Sequence, residues 1–240
     1  MRKAPLVLDV FRAPSQNEPI QKKVWGEVGA ASPKKRLVSF SDRMDGEVRK
    51  VEAVTDYAFF GTTCRVSAAW TIRDGAAKVR AVFTQSGKKF EPAHIGFRTV
   101  LADSSLDVEW LGRGPWENYS DRKSGAFIGL WRLGSEDFFF PYDVPQDCGN
   151  REEVYRVKLS TLMDSVTFET GGKPFAFEVN PYPPETLVKY AHPAELPPSD
   201  STYFGIWAKS RGLGGNSCGP LPLPQDKVGT DTYTLEFTIR

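Results

Sequence analysis

The sequence predicts an all-β fold, a sandwich or barrel of antiparallel strands. Three observations carry this: β-forming runs recur about every ten residues, turn-forming residues fall between them, and helical periodicity is scarce. Glycine (21) and proline (18) make up about a sixth of the 240 residues, a share that suits many turns and few long helices. The chain is 40% apolar and 12% aromatic, enough to bury a substantial core.

The clearest element is a hairpin. Residues 64–72 and 77–84 flank Arg73-Asp74-Gly75, and Val79, Ala81 and Phe83 alternate with polar neighbours. Further strand-like runs follow at 95–101, 106–111, 126–133, 154–159, 165–170, 175–179, 202–207 and 231–239. Residues 183–191 predict one or two helical turns, opened by prolines and with Glu185 suited to the positive N-terminal end. Residues 18–25 are a second, less supported candidate for a helical turn. Proline-rich stretches at 181–184, 193–198 and 220–224 have strand-like runs on both sides, so they predict ordered connections within one domain spanning residues 1–240.

Charge and cysteine content exclude several classes. With 31 basic and 30 acidic side chains the net charge is +1, which gives no long-range field toward nucleic acid or a membrane surface. No run approaches the roughly 18 apolar residues of a membrane span, and Pro5 and Asp9 interrupt the basic N-terminus before an apolar region can form. Cys64, Cys148 and Cys218 are odd in number and widely spaced, which argues against a zinc site or a disulfide framework. Neither a metal nor another cofactor is expected. The glycine-rich stretch 211–220 lacks the Gly-Lys-Ser/Thr of a phosphate loop, and the dinucleotide-binding spacing also fails.

Besides the glycine-rich stretch, two segments concentrate polar and aromatic groups, residues 110–123 and 140–152. Residues 110–123 deliver Glu117, Asn118, Asp121 and Arg122 into one compact loop shaped by Gly112, Gly114 and Pro115. Amides, carboxylates, guanidinium groups and flat aromatic faces suit a sugar site, whereas paired charges equally suit a lattice that pins a long loop. Gln146, Asn150 and Arg151 around Gly149 present forked donors and acceptors or stabilise a turn. His94 and His192 are either general acid–base groups or packed side chains with satisfied hydrogen bonds. Phe138, Phe139, Phe140 and Tyr142 read as core or as a covered interface.

In their order, these segments resemble the C-terminal small-chain domain of bacterial β-galactosidases of glycoside hydrolase family 2. The similarity runs from Phe11-Arg12-Ala13-Pro14-Ser15-Gln16-Asn17-Glu18, through Trp110 to Gly114-Pro115, Glu117-Asn118-Tyr119 and Asp121-Arg122-Lys123. It continues over Pro141-Tyr142, Pro145-Gln146, Gly149-Asn150-Arg151, Leu187, Ala191-His192 and Glu195-Leu196, and closes on the stretch from Gly212 to Pro220.

The resemblance implies a large two-sheet antiparallel β-supersandwich, galactose-mutarotase-like, severed from a longer multidomain enzyme. It implies a non-catalytic domain that packs on the catalytic barrel and other domains of that enzyme and completes the rim of a galactoside pocket. Nothing in 240 residues reads as the barrel, which needs about 250 residues of alternating strands and helices. Glu117, Asn118, Asp121, Arg122, Asn150 and Arg151 become candidates for a polar concavity, with His192, Asn216 and Cys218 at its rim. A bacterial compartment, cytoplasmic or periplasmic, goes with the resemblance.

The sequence also departs from the family pattern. Cys218 stands where many relatives carry a tryptophan, His94 where an arginine is usual, and Trp207 where an aspartate is common; Ser15 and Glu18 soften the opening motif. Two other readings stand beside the first: a carbohydrate-binding module, and a mutarotase-like aldose epimerase using His192 with Glu117 or Asp121.

Overall fold

The computed structural model describes residues 5–215 and 218–240. In chain order its elements are β1 (Val7–Asp9), α1 (Pro19–Val28), β2 (Lys34–Asp45), β3 (Val48–Phe59), β4 (Thr62–Arg73), β5 (Ala76–Gly87), β6 (His94–Leu101) and β7 (Asp107–Gly114). There follow β8 (Phe127–Gly134), β9 (Arg151–Val154), β10 (Arg156–Ser160), β11 (Ser165–Thr170), β12 (Phe175–Asn180), α2 (Pro184–Leu187), β13 (Thr202–Ser210) and β14 (Tyr233–Ile239). They form two antiparallel sheets. The smaller has the order β1-β6-β13-β12-β9 and the larger β2-β3-β4-β5-β14-β11-β10-β7-β8.

Side-chain alternation joins the sheets face to face. Phe83 of β5 meets Phe97 of β6 at 5.2 Å between ring centroids, Phe168 of β11 meets Phe204 of β13 at 4.7 Å, and Trp110 of β7 meets Phe177 of β12 at 5.9 Å. The expected hairpin is β4–β5. Arg73 pairs with Ala76 across Asp74 (φ 50°) and Gly75 (φ 75°), two left-handed residues that match the twist of the flanking strands.

The smaller sheet is covered on its outer face as well. Every residue of β12 is buried: Phe175, Phe177 and Val179 point into the core, and Ala176, Glu178 and Asn180 point outward beneath covering loops. The helix α1 begins with Pro19, whose missing N–H costs nothing in the first turn, and ends on left-handed Gly29. Its buried Gln21, Trp25 and Val28 share one face, and the Trp25 indole N–H donates to the Glu91 carbonyl at 2.7 Å.

The run expected as one strand over 154–159 divides between the sheets. β9 pairs with β12 in the smaller sheet, and β10 pairs with β7 and β11 in the larger. The break falls at Tyr155; within β9, where the pairing with β12 shifts register, Glu153 is in the left-handed region (φ 52°), with its carboxylate held by Arg113 at 2.9 Å and Lys123 at 2.8 Å. Among the described residues no helix is long and apolar enough to cross a membrane.

Candidate functional site

At one end of the sandwich, four segments far apart in sequence meet on buried charges. Arg12 and Arg211 are both buried, and Glu18 lies between them with no exposed surface. Arg12 donates to Glu18 through Nη2 at 2.5 Å and through Nε at 3.3 Å, while Arg211 Nη1 reaches Glu18 Oε1 at 3.1 Å. Ser15 completes the carboxylate's shell by donating its N–H and hydroxyl at 3.0 and 3.1 Å. Arg12 also donates to the Arg211 and Gly212 carbonyls at 2.8 and 3.0 Å, and lies over the rings of Trp25 and Tyr119. Burial works against the Arg12 charge, but Glu18 and Asp147 outweigh it and hold the pKa above its ordinary value.

The loop after β7 uses its polar side chains against its own neighbours. Asn118 and Asn150 clasp reciprocally: the Asn118 N–H donates to the Asn150 carbonyl at 2.9 Å, and Asn150 Nδ2 donates to the Asn118 carbonyl at 2.8 Å. The Asn118 side chain accepts from the Glu152 N–H and donates to the Trp116 carbonyl. Glu117 accepts from the Tyr142 hydroxyl, from Arg122 at 3.3 Å and from the Gly149 N–H at 3.2 Å. Gly149 has φ 86°, and a Cβ there would lie 2.8 Å from the Val179 carbonyl oxygen, so only glycine fits. Arg151 is buried with its guanidinium over Phe138 and Trp110 and donates to the Asn150 carbonyl; burial brings its pKa down to about 10.

Asp121 faces the other way, toward the glycine-rich loop. Its two carboxylate oxygens accept the N–H groups of Leu213 at 3.0 Å and Gly214 at 2.8 Å. A Cβ on Gly212 would lie 2.3 Å from the Asp121 carboxylate carbon, so the approach requires a residue without a side chain. Asn17 Nδ2 donates to the Gly214 carbonyl from the opposite side. Beside this tether opens a cleft of about 430 Å³ walled by Asn17, Asp121, Arg122, Leu213 and the 220–223 stretch.

Of the sequence-derived candidates, Glu117, Asn118, Arg122, Asn150 and Arg151 are thus joined by contacts around one loop system, and Asp121 links it to the glycine-rich loop. Cys218 is exposed. Asn216 lies outside the described residues. His192 is exposed, and its contacts are local, in a reciprocal cap with Glu195.

A second titratable cluster, on the outer face of the smaller sheet, did not stand out in the sequence. His94 is buried, stacked on Trp207 with centroids 3.7 Å apart and planes at 8°, and its Nε2 lies 3.4 Å from Asp9 Oδ1. Burial tends to raise the Asp9 pKa, but His94 and Arg98 outweigh it and hold the carboxyl below its ordinary value. Nearby, Asp147 accepts from the Tyr119 hydroxyl at 3.0 Å, and burial pushes its pKa up to about 6. Burial and Asp147 together push Glu178 well above the carboxylate range. The cleft that Asp9, His94, Glu178 and Trp207 line is only about 10 Å³, roughly room for one water. These residues sit singly in β-like or loop sequence; only their placement on one sheet face reveals them.

Two antiparallel sheets packed face to face, with buried ion pairs at one end, define the class: an all-β sandwich. The chain belongs to the family described as beta galactosidase small chain, whose model matches residues 1–239. It is 31% identical over 210 residues to a β-galactosidase of Priestia megaterium, covering 85% of this chain and 20% of that enzyme. A β-galactosidase of Actinobacillus pleuropneumoniae is 25% identical over 238 residues, covering 98% of this chain and 23% of that enzyme. The chain therefore spans about a fifth of the length of these curated relatives. Similar solved structures include a galactose mutarotase-like protein from Lactobacillus casei, at 13% identity, TM-score 0.42 and coverage of 84% of this chain and 72% of that one. A putative aldose 1-epimerase from Escherichia coli gives 11% identity, TM-score 0.40 and coverage of 84% and 68%.

Proposed function

We propose that this chain is a non-catalytic C-terminal domain of a family-2, β-galactosidase-like enzyme, packing on the catalytic barrel and completing the rim of its sugar pocket. The observation that carries the reading is the Asp121 tether. Two charge-assisted bonds fix the backbone at Leu213 and Gly214 beside an open cleft. A rim that contacts substrate needs this pre-set position more than it needs reactive groups of its own.

The acidic side chains of the site support a scaffolding role. Glu117 and Asp121 accept bonds that hold loops, and Glu18 is enclosed between two arginines. A retaining glycosidase needs two carboxyls about 5 Å apart across an open sugar site. The purified chain is expected to release no product from a chromogenic galactoside, and to bind free galactose at millimolar affinity or weaker. Turnover abolished by a single carboxylate substitution overturns the proposal.

One observation favours a second reading. An epimerase needs an imidazole and a carboxylate, and His94 lies beside Asp9 in a sheet face that Glu178 shares. Trp207 stacks flat on that imidazole, and the remaining space admits no sugar ring. Polarimetry of galactose anomerisation separates the readings, and a rate clearly above buffer favours the epimerase.

A further inference from the structure

The two sheets differ in size, nine strands against five, and the larger one overhangs. Its inward face is core where the smaller sheet covers it: Cys64, Val66 and Ala68 of β4 and Val79, Ala81 and Phe83 of β5 are buried. Toward the β2 edge the same face runs into solvent. Cross-strand pairing puts Phe40 beside Ala53 and Ala68, and Val51 beside Asp42 and Trp70, so Leu37, Phe40, Met44, Val51 and Trp70 share the inward side. Phe40 is 60% and Met44 64% exposed, and Leu37 is exposed too, while Val51 and Trp70 are half-covered. This largely apolar strip adjoins the core, is crossed by the Asp42–Arg49 ion pair on the same face, and has no covering layer among the described residues.

We infer that this overhanging face of β2 and β3 is a docking surface for the large, barrel-bearing part of the parent enzyme; the inference rests on the function proposed above. Charge argues for an apolar protein partner. Most ionic groups of the hairpin neutralise one another, Asp42 with Arg49 at 2.5 Å, Asp45 with Lys50 at 2.5 Å, and Asp56 with both Arg36 and Arg65 at 2.9 and 2.7 Å. A polyanion or an anionic membrane would need a field of free cations, and on this hairpin only Lys34 and Lys35, at the start of β2, are outside an ion pair among the described residues. Size argues the same way: 98% of this chain accounts for 23% of the Actinobacillus pleuropneumoniae enzyme, which leaves most of such a polypeptide to supply the missing layer. A second copy adding at the sheet edge is disfavoured by the bulge between Leu37 and Ser39, which breaks the register of the free strand.

Methionine oxidation by dilute hydrogen peroxide, followed by peptide mass spectrometry, tests this. Met163 is 94% exposed in the turn between β10 and β11 and serves as the internal reference. In the free 240-residue chain Met44 is oxidised at a rate similar to that of Met163, and in the enzyme assembled from the native gene product Met44 slows by at least about tenfold. Phe40→Asp in the assembled enzyme is expected to return Met44 toward its free rate. Unchanged Met44 oxidation on assembly overturns the inference, and so does protection in the free chain that grows with concentration, which is the mark of a second copy. Galactoside hydrolysis is read on the same samples. An active enzyme with reactive Met44 removes the docking face alone, whereas an inactive assembly with protected Met44 keeps the face and removes the chemistry assigned to the parent.

Discussion

The Arg12–Glu18–Arg211 junction and the β2–β3 overhang invert the usual partition of side chains in opposite ways. At the junction three charged groups are buried completely, while on the overhang large apolar groups stand in water. The junction is closed, with every Glu18 oxygen engaged by arginine or serine, although Arg211 Nε and Nη2 are buried without a hydrogen bond. The overhang has most of its charges paired and its apolar face left open. A buried ion network fixes where chains cross; an uncovered apolar strip is complete only when something lies on it. The first is therefore expected to control folding of this chain, and the second to be nearly silent until assembly.

The sharpest way to break this contrast is at Glu18. Glu18→Ala leaves two buried guanidinium groups without their shared carboxylate, and a loss of about 3–5 kcal/mol is expected in urea unfolding, or failure to fold. A loss below about 1 kcal/mol means the junction does not organise the fold.

A pH titration tests the buried carboxyls next to it. Asp147 has a folded pKa of about 6 against an ordinary 3.8, so the folded state keeps a proton that the unfolded state releases. Its contribution is full below 3.8 and is lost as pH rises through 6; stability should rise when pH falls from 7.5 to 5, and Asp147→Asn should flatten that slope. Asp9, held below 3.8, acts oppositely and only in stronger acid, where protonation costs stability.

Asp121→Ala removes two charge-assisted bonds to loop backbone, with an expected cost of about 1–3 kcal/mol and earlier proteolytic cleavage within 212–220. The smallest effect belongs to the overhang. Phe40→Ser in the free chain should change stability by no more than about 0.5 kcal/mol, because a side chain 60% exposed has little packing to lose. A large loss there means the strip is already covered in the free chain.

The sequence made some elements plain and hid others for physical reasons. The β4–β5 hairpin was legible because Asp74-Gly75 supplies two left-handed residues and one face alternates into the core. β2 and β3 were missed because alternation marks a strand only where one face is buried, and β2 reads KKRLVSFSDRMD with both faces solvated. The irregular pairing of β9 with β12, just before the chain crosses to the larger sheet, coincides with the left-handed Glu153, a conformation that its residue type does not announce. At the candidate site the motifs themselves were visible, but not their convergence: Arg12 donates to the carbonyl of a residue 199 positions away. The His94 and Trp207 rings lie in contact across β6 and β13, a juxtaposition of residues more than a hundred positions apart that only the strand pairing reveals.

The placement of the three cysteines gives the molecule a built-in experimental handle. Burial pushes the Cys64 thiol up to about 12 and the Cys148 thiol well above its ordinary value, so both remain protonated and shielded. Cys218, in the glycine-rich stretch, is the exposed one. A maleimide fluorophore added to the native sequence should therefore attach there selectively, placing a reporter beside the loop whose surroundings change if a barrel or a sugar arrives.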